Sequence, residues 1–192
     1  MTASDNPFAT GRVERLLTFD PTLIGSSWEV IEERWLELGR RACVSGHHGA
    51  GKTTFLEAMT KRLRQTAPVE CLFFNQQKRG LSIDDRMVLD QCEAVYLIID
   101  GDEYLSWSER RELNRASLRA QGCLFARHRK RGLPELLRLR SNPDLARELL
   151  TRISPEWRSR VGDQIEEKLG RVGGNLRELW LECYDLAGNT GN

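Results

Sequence analysis

The stretch Gly46-His47-His48-Gly49-Ala50-Gly51-Lys52-Thr53 matches the pattern G-x-x-x-x-G-K-[ST] at each specified position. Its glycines permit backbone conformations that point several N–H groups inward, and the helix expected after it adds its positive end. Lys52 supplies a mobile positive charge, and the Thr53 hydroxyl is an oxygen ligand suited to Mg²⁺. We therefore name residues 46–53 the predicted phosphate loop; the alternative is a glycine-rich turn that contains Lys-Thr by chance.

The segments on either side of the predicted phosphate loop fit the same interpretation. Residues 41–45 form a short apolar run typical of a buried strand, and residues 54–59 begin a helix with apolar positions on one face. Strand, loop and helix thus follow in the order that a phosphate site requires. The predicted nucleotide-binding residues are Gly46, His47, His48, Gly49, Ala50, Gly51, Lys52, Thr53 and Thr54. His47 and His48 occupy unspecified positions, and their side chains are not expected to be ligands.

The length and composition indicate a globular protein with one substantial core and a small appendage. The chain has 192 residues, of which 40% are hydrophobic. No apolar stretch approaches the roughly 20 residues that span a bilayer, and residues 1–20 lack the apolar core of a signal peptide, so a cytoplasmic location is expected. Five cysteines, without C-x-x-C spacing, are predicted to be reduced core residues rather than metal ligands.

Charge is distributed unevenly along the chain. The formal net charge is +1, yet residues 104–140 contain 10 Lys and Arg against 3 Asp and Glu. A basic segment can bind nucleic acid, but arginines after a nucleotide site can also sense a triphosphate or form a solvated helix face. We favour the latter two explanations, so nucleic acid is the less favoured partner.

The predicted architecture is α/β, with a doubly wound, mainly parallel sheet and a small C-terminal helical subdomain. Residues 1–38 should form an N-terminal arm, extended with turns up to residue 25, followed by a helix. Residues 39–140 should form the nucleotide-binding core, and residues 141–192 a helical, lid-like subdomain with helices near 143–153 and 155–169 and a last helix after Gly173-Gly174-Asn175. Residues 133–139 fit either the first turn of a helix or a fifth strand.

A second group of candidate site residues follows the apolar run of residues 94–99. Asp100 ends this run, and a carboxylate at the end of a buried strand beside a phosphate loop is where Mg²⁺ chemistry needs one. Asp102 and Glu103 are alternative candidates for orienting an attacking water, and we favour Glu103. His128 follows the next predicted strand, and since the carboxyl ends of parallel strands converge on the ligand crevice, it should lie near the terminal phosphate.

These motifs together resemble a known class of proteins. The order of phosphate loop, strand ending in Asp100, strand ending in His128 and terminal Gly174-Asn175-Leu176-Arg177 resembles a P-loop NTPase of the additional-strand type, nearest to AAA+ and STAND ATPases. The segments 46–54, 100–106 and 122–134 are also similar to a family of uncharacterised bacterial ATP-binding proteins. In the AAA+ class an acidic pair directly follows the strand, whereas here Gly101 intervenes.

The resemblance implies a role for each matching residue. Lys52 and Thr53 would bind phosphate and Mg²⁺, with Asp100 as the second group on the metal. Glu103 would orient the water, His128 would act as a sensor after the fourth strand, and Arg177 would be a sensor on the lid.

The leading hypothesis for function is an Mg²⁺-dependent ATPase or ATP-driven switch that acts on a protein partner. The alternatives are a small-molecule kinase and a nucleotide-binding regulator that does not hydrolyse. ATP is favoured over GTP because the sequence has no Asn-Lys-x-Asp motif. Self-association is also expected, since a set of arginines is predicted to project outward and complete a neighbouring site: Arg127, Arg129, Arg131, Arg138 and Arg140.

Overall fold

The computed structural model describes residues 6–130 and 132–189. The strands of this part of the chain are β1 (Arg41–Ser45), β2 (Val69–Phe73), β3 (Tyr96–Asp100), β4 (Gly122–Arg127) and β5 (Glu135–Arg138). Its α-helices are α1 (Thr10–Leu16), α2 (Trp28–Glu37), α3 (Lys52–Leu63), α4 (Ile83–Asp90), α5 (Trp107–Ser117), α6 (Pro143–Ile153), α7 (Pro155–Val161), α8 (Ile165–Arg171) and α9 (Leu176–Asn189).

The strands form one parallel sheet in the order β2-β3-β4-β1-β5. Strands β1, β3 and β4 are buried along most of their length, as in sheets that helices cover. The predicted α/β fold with a parallel sheet is therefore confirmed. Strand β4 lies between β1 and β3, with Arg127 paired to Ser45 and Ala126 paired to Asp100. The carboxyl ends of these strands consequently meet at one edge of the sheet.

The ambiguous residues 133–139 contain a strand rather than a helix. Strand β5 pairs with β1, with a register shift between Cys43 and Val44. Leu136 is buried, and the Ser45 hydroxyl donates a hydrogen bond to the Glu135 carboxylate. The sequence of residues 133–139 fits a helical turn and a strand equally well, and pairing with β1 and burial of Leu136 favour the strand.

The chain divides into two compact units. The sheet unit consists of Ile24–Gly46 and Lys52–Arg138 and contains the whole sheet. The helical unit consists of the described residues up to Leu23, the loop residues His47–Gly51, and the described residues from Leu139 onwards. The division separates the predicted segment 1–38 into two parts after Leu23, and it falls next to the boundary predicted near residue 140.

The N-terminal residues depart from the predicted extended arm. Residues 10–16 are helical, and Phe8 is buried against Trp157 and Trp180 at ring-centroid distances of 5.3 and 6.4 Å. The side-chain amide of Asn6 also donates to the Tyr184 carbonyl over 2.9 Å. Burial of apolar side chains in the helical core thus outweighs the low helix propensity of Gly11.

The helix predicted near 155–169 is in fact two helices. Helix α7 ends at Val161, a 3₁₀ turn covers Gly162–Gln164, and α8 continues from Ile165. A side chain on Gly162 would lie 2.1 Å from the Arg158 guanidinium. A larger residue here would displace the flexible end of the Arg158 side chain.

Two helices of the sheet unit begin at capping boxes whose spacing can be recognised in the sequence. Ser82 pairs with Asp85 before α4, and Ser106 pairs with Glu109 before α5.

Within the described residues, no helix is long and apolar enough to cross a membrane. Four of the five free cysteines are buried, and Cys71 is partly exposed.

Candidate functional site

The predicted metal ligands are in contact at the carboxyl edge of the sheet. Helix α3 begins with Lys52 and Thr53, and the Thr53 hydroxyl donates to Oδ2 of Asp100, at the end of β3, over 2.7 Å. Lys52 Nζ donates to the Gly46 carbonyl over 2.8 Å. A hydroxyl, a carboxylate and an ammonium group are thereby brought together at the start of one helix.

Glycine is required at two positions of the predicted phosphate loop. Gly49 and Gly51 have φ angles of +70° and +90°, in the left-handed region that favours glycine. Within the helical unit, a Cβ on Gly49 would also lie 1.9 Å from Oδ1 of Asn175. The backbone of the loop therefore depends on its glycines, as a phosphate-binding conformation does.

Burial and neighbouring charges shift both ionisable groups at this site. Burial raises the pKa of Asp100, the Thr53 hydrogen bond opposes that rise, and the negative charge of Glu103 adds to it. Burial likewise lowers the pKa of Lys52, against the opposing effect of Asp100 and Glu103. The negative charge of Glu103 thus raises the pKa of both groups.

Glu103 and His128 form a second contact. Oε1 of Glu103 lies 3.3 Å from Nε2 of His128, and their side chains are 39% and 35% exposed. A cleft of about 340 Å³ opens beside them, and it is also lined by Arg110, Arg129 and the buried pair Asp102 and Arg127. A carboxylate paired with an imidazole at the edge of a solvent-filled cleft is suited to accept or relay a proton from water.

Asp102 has a different environment from Glu103. Its carboxylate accepts two hydrogen bonds from Arg127, at 3.1 Å from Nε and 2.8 Å from Nη2, and both side chains are buried. The Arg127 guanidinium also lies 4.4 Å from the centroid of the Phe125 ring. Asp102 therefore anchors the 3₁₀ turn Asp102–Tyr104 to the end of β4. The expectation that Arg127 projects outward is wrong, because the burial of this ion pair holds it inside.

Breaking this buried pair is predicted to destabilise the protein. Asp102→Asn removes the negative charge that binds the buried Arg127 guanidinium twice, so the free energy of unfolding should fall by about 3–5 kcal/mol, as measured by urea denaturation at pH 7. Glu112→Gln is the matched control, since its ion pair with Arg86 spans 3.0 Å between side chains that are 42% and 44% exposed. Glu112→Gln should lower the free energy of unfolding by at most about 1 kcal/mol. Equal losses in the two variants would contradict the structural role of Asp102.

Gly101 explains why the two acids do not follow the strand directly. Its φ of +80° lies in the left-handed region, and a Cβ there would lie 2.0 Å from the carbonyl oxygen of Phe74. No other residue fits beside this backbone. The turn at Gly101 leads into the 3₁₀ turn in which the Asp102 carboxylate is bound by Arg127 and that of Glu103 lies beside His128.

Of the other predicted residues, Thr54 lies on α3 in the sheet unit, whereas Arg177 and His47 lie in the helical unit. Arg177 is on α9, its side chain is 76% exposed, and its guanidinium is 3.9 Å from Oε1 of Glu14. Nε2 of His47 lies 3.1 Å from the Ser141 hydroxyl, which also donates to the Gly174 carbonyl. Sequence reasoning missed Ser141, and a single serine after a basic segment carries no signal that points to it.

No protein-family model matches the sequence, and no curated protein matches it. Among solved structures, the chain is similar to the crystal structure of Cdc6p from Pyrobaculum aerophilum, with 15% identity and a TM-score of 0.43. The match covers 73% of this chain and 54% of that chain, so it spans about half the length of that protein. The parallel sheet itself fits a P-loop fold.

The site residues fit Mg²⁺ bound together with nucleotide phosphates. Within residues 6–130 and 132–189, no three His, Cys, Asp or Glu side chains are grouped so as to hold a metal by themselves. Mg²⁺ usually takes only one or two protein carboxylates and completes its shell with water and phosphate oxygens. The Thr53 hydroxyl and Asp100 carboxylate supply the oxygen donors that such a site requires.

Proposed function

We propose that this protein binds Mg-ATP and hydrolyses it, as an ATPase or ATP-driven switch that acts on a protein partner. The observation that carries the proposal is the 2.7 Å hydrogen bond between Thr53, which follows the loop lysine, and Asp100 at the end of β3. The strand order adds support for the additional-strand class, since β4 lies between the strand before the predicted phosphate loop and the strand that ends in Asp100.

Each group has a task in this proposal. Lys52 binds the β- and γ-phosphates as a point charge, and Thr53 and Asp100 hold the metal. When bound, Mg²⁺ neutralises the charge that develops on the transferred phosphoryl group. Glu103 orients the attacking water and accepts its proton, and His128 holds the Glu103 carboxylate and senses the terminal phosphate.

A turnover assay on the purified chain tests the proposal. ATP and GTP are compared with and without EDTA, and products are identified in the presence of candidate small-molecule acceptors. Phosphate release from ATP that EDTA abolishes is the expected result. A phosphorylated acceptor would indicate the kinase alternative instead, and tight ATP binding without any product would indicate a nonhydrolysing regulator.

His128 is predicted to affect turnover more than binding. Because His128 contacts the Glu103 carboxylate, which is proposed to activate water, His128→Ala should lower kcat by about tenfold or more. The Kd for ATP should change by less than about threefold. Lys130→Ala, an exposed neighbour on the same segment, is the control and should match the wild type. Equal losses of turnover and affinity in His128→Ala would assign this histidine to nucleotide binding.

Turnover is also predicted to depend on protein concentration. Arg129, Arg138 and Arg140 are exposed, whereas Arg131 lies outside the described residues. An arginine supplied by a neighbour contributes roughly 10³–10⁵ in rate, so a site completed in this way is slow in the monomer. Specific activity should therefore rise with concentration, in step with oligomers seen by light scattering in ATP. A flat profile with monomer alone would leave a foreign protein as the source of the arginine.

A further inference from the structure

A second concave surface lies on the sheet unit, between α5 and the chain that joins β4 to β5. This groove has a volume of about 590 Å³. Neither aspartate nor glutamate is among its lining residues, whereas five arginines are: Arg41, Arg110, Arg111, Arg115 and Arg127. We name it the arginine groove.

Most of the positive charge in the arginine groove is not balanced by carboxylates. Arg127 is neutralised by Asp102, but the guanidinium of Arg41 donates to the carbonyl and hydroxyl of Ser117. Arg110 donates to two backbone carbonyls, and its buried Nε has no hydrogen-bond partner among the described residues. In the part of the chain that the structure describes, no carboxylate lies within 4.0 Å of Arg111 or Arg115. The groove therefore attracts polyanions.

An exposed tryptophan stands among these charges. The side chain of Trp107, the first residue of α5, is 73% exposed, and the Arg111 guanidinium lies 5.4 Å from the centroid of its ring. Trp107, Arg111 and Arg115 follow at intervals of four residues, so they form one stripe of about 12 Å along the helix. The opposite face of α5 is buried through Leu113 and Ala116. The stripe is thus the solvent face of a helix that is fixed to the core.

We propose that the arginine groove binds single-stranded nucleic acid. A backbone phosphate can pair with Arg111 or Arg115 while an unpaired base stacks on the ring of Trp107, which is the combination that single-strand-binding surfaces use. Polyglutamate would satisfy the arginines but has no aromatic ring to stack on the indole. In a duplex the bases are already stacked on each other, so none is free for Trp107. This proposal does not depend on ATP hydrolysis.

The test uses the full chain and a fluorescein-labelled 20-nucleotide oligo-dT, followed by fluorescence anisotropy over a range of salt concentrations. Trp107→Ala should weaken binding by about 5- to 150-fold, the effect of losing one base–aromatic stack. Arg115→Glu should weaken binding by about tenfold and reduce the slope of log K against log salt by about 0.7 for each phosphate that is no longer neutralised. Arg64→Glu, which makes the same charge change at an exposed arginine after α3, should change affinity by less than about twofold.

Further variants keep the outcome decisive. Trp107→Phe retains an aromatic face and should recover most of the affinity that Trp107→Ala loses, which separates stacking from any effect on folding. Lys52→Ala should bind oligo-dT as the wild type does. The oligo-dT test therefore stays informative even if the predicted phosphate loop proves not to bind nucleotide. The proposal is overturned if oligo-dT does not bind, if the groove variants behave as Arg64→Glu does, or if a duplex or polyglutamate binds equally well.

Discussion

Lys52→Ala should lower the affinity for Mg-ATP by about 10- to 150-fold, because a hydrogen bond to a charged group contributes about 1.5–3 kcal/mol. Lys52 stands at the start of α3 with Nζ on the Gly46 carbonyl, and burial already lowers the pKa of its ammonium group. A phosphate group would add the counter-charge that this half-buried cation favours. Isothermal titration calorimetry measures the change directly.

The control for this variant lies on the same helix. Lys61 is exposed in the last turn of α3, so Lys61→Ala removes an equal charge without touching the predicted phosphate loop. It should keep the affinity of the wild type. Thermal melts without nucleotide should show both variants folded, since neither side chain belongs to the core. Wild-type affinity in Lys52→Ala would refute phosphate binding at this loop.

The predicted phosphate loop and Asp100 could be proposed from the sequence because each depends on a short, local pattern. A strand, a glycine-rich loop and a helix start within one stretch around Lys52, so the loop can be read without tertiary information. Asp100 was predictable because an apolar run that ends in an acid indicates the end of a buried strand. In the structure the Thr53 side chain contacts Asp100. This contact follows because β1, which precedes the loop, and β3, which ends in Asp100, are parallel and end at the same edge of the sheet.

The choice between Asp102 and Glu103 could not be made in the same way. The two residues are adjacent and chemically alike, and what separates them is a guanidinium 25 positions further along the chain. Only the register of β3 and β4 brings Arg127 beside Asp102, since Asp100 pairs with Ala126. Arg127, which was expected to project outward, is thereby buried together with Asp102, whereas the side chain of Glu103 is 39% exposed.

The N-terminal segment was predicted wrongly for a related reason. Pro7 and Gly11 favour turns locally, yet Phe8 packs against two tryptophans more than 140 positions away in the chain. Burial of an aromatic ring contributes more than the local preferences of a short segment. Long-range packing of this kind leaves no periodic pattern in a short segment such as α1, which has two turns.

Glu103→Gln should retain ATP affinity within about threefold and lower kcat by about 10²- to 10⁴-fold, the usual contribution of a general base. The amide keeps the size of the side chain but cannot accept a proton from water. Lys52, Thr53 and Asp100 remain to bind the nucleotide, so binding and chemistry should separate. Single-turnover hydrolysis, measured beside calorimetric titration with Mg-ATP, gives both quantities for one preparation.

Asp102→Asn supplies the discriminating comparison for Glu103→Gln, because it makes the same chemical change one residue earlier. Both acids line the same cleft, but the Asp102 carboxylate is buried and already bound twice by Arg127, whereas the side chain of Glu103 is 39% exposed beside His128. At a temperature where both variants are folded, Asp102→Asn should therefore lose stability but keep most of its turnover, and Glu103→Gln should do the reverse. If the two variants exchange these properties, the acid that activates water is Asp102 and the ion pair with Arg127 must open for the reaction.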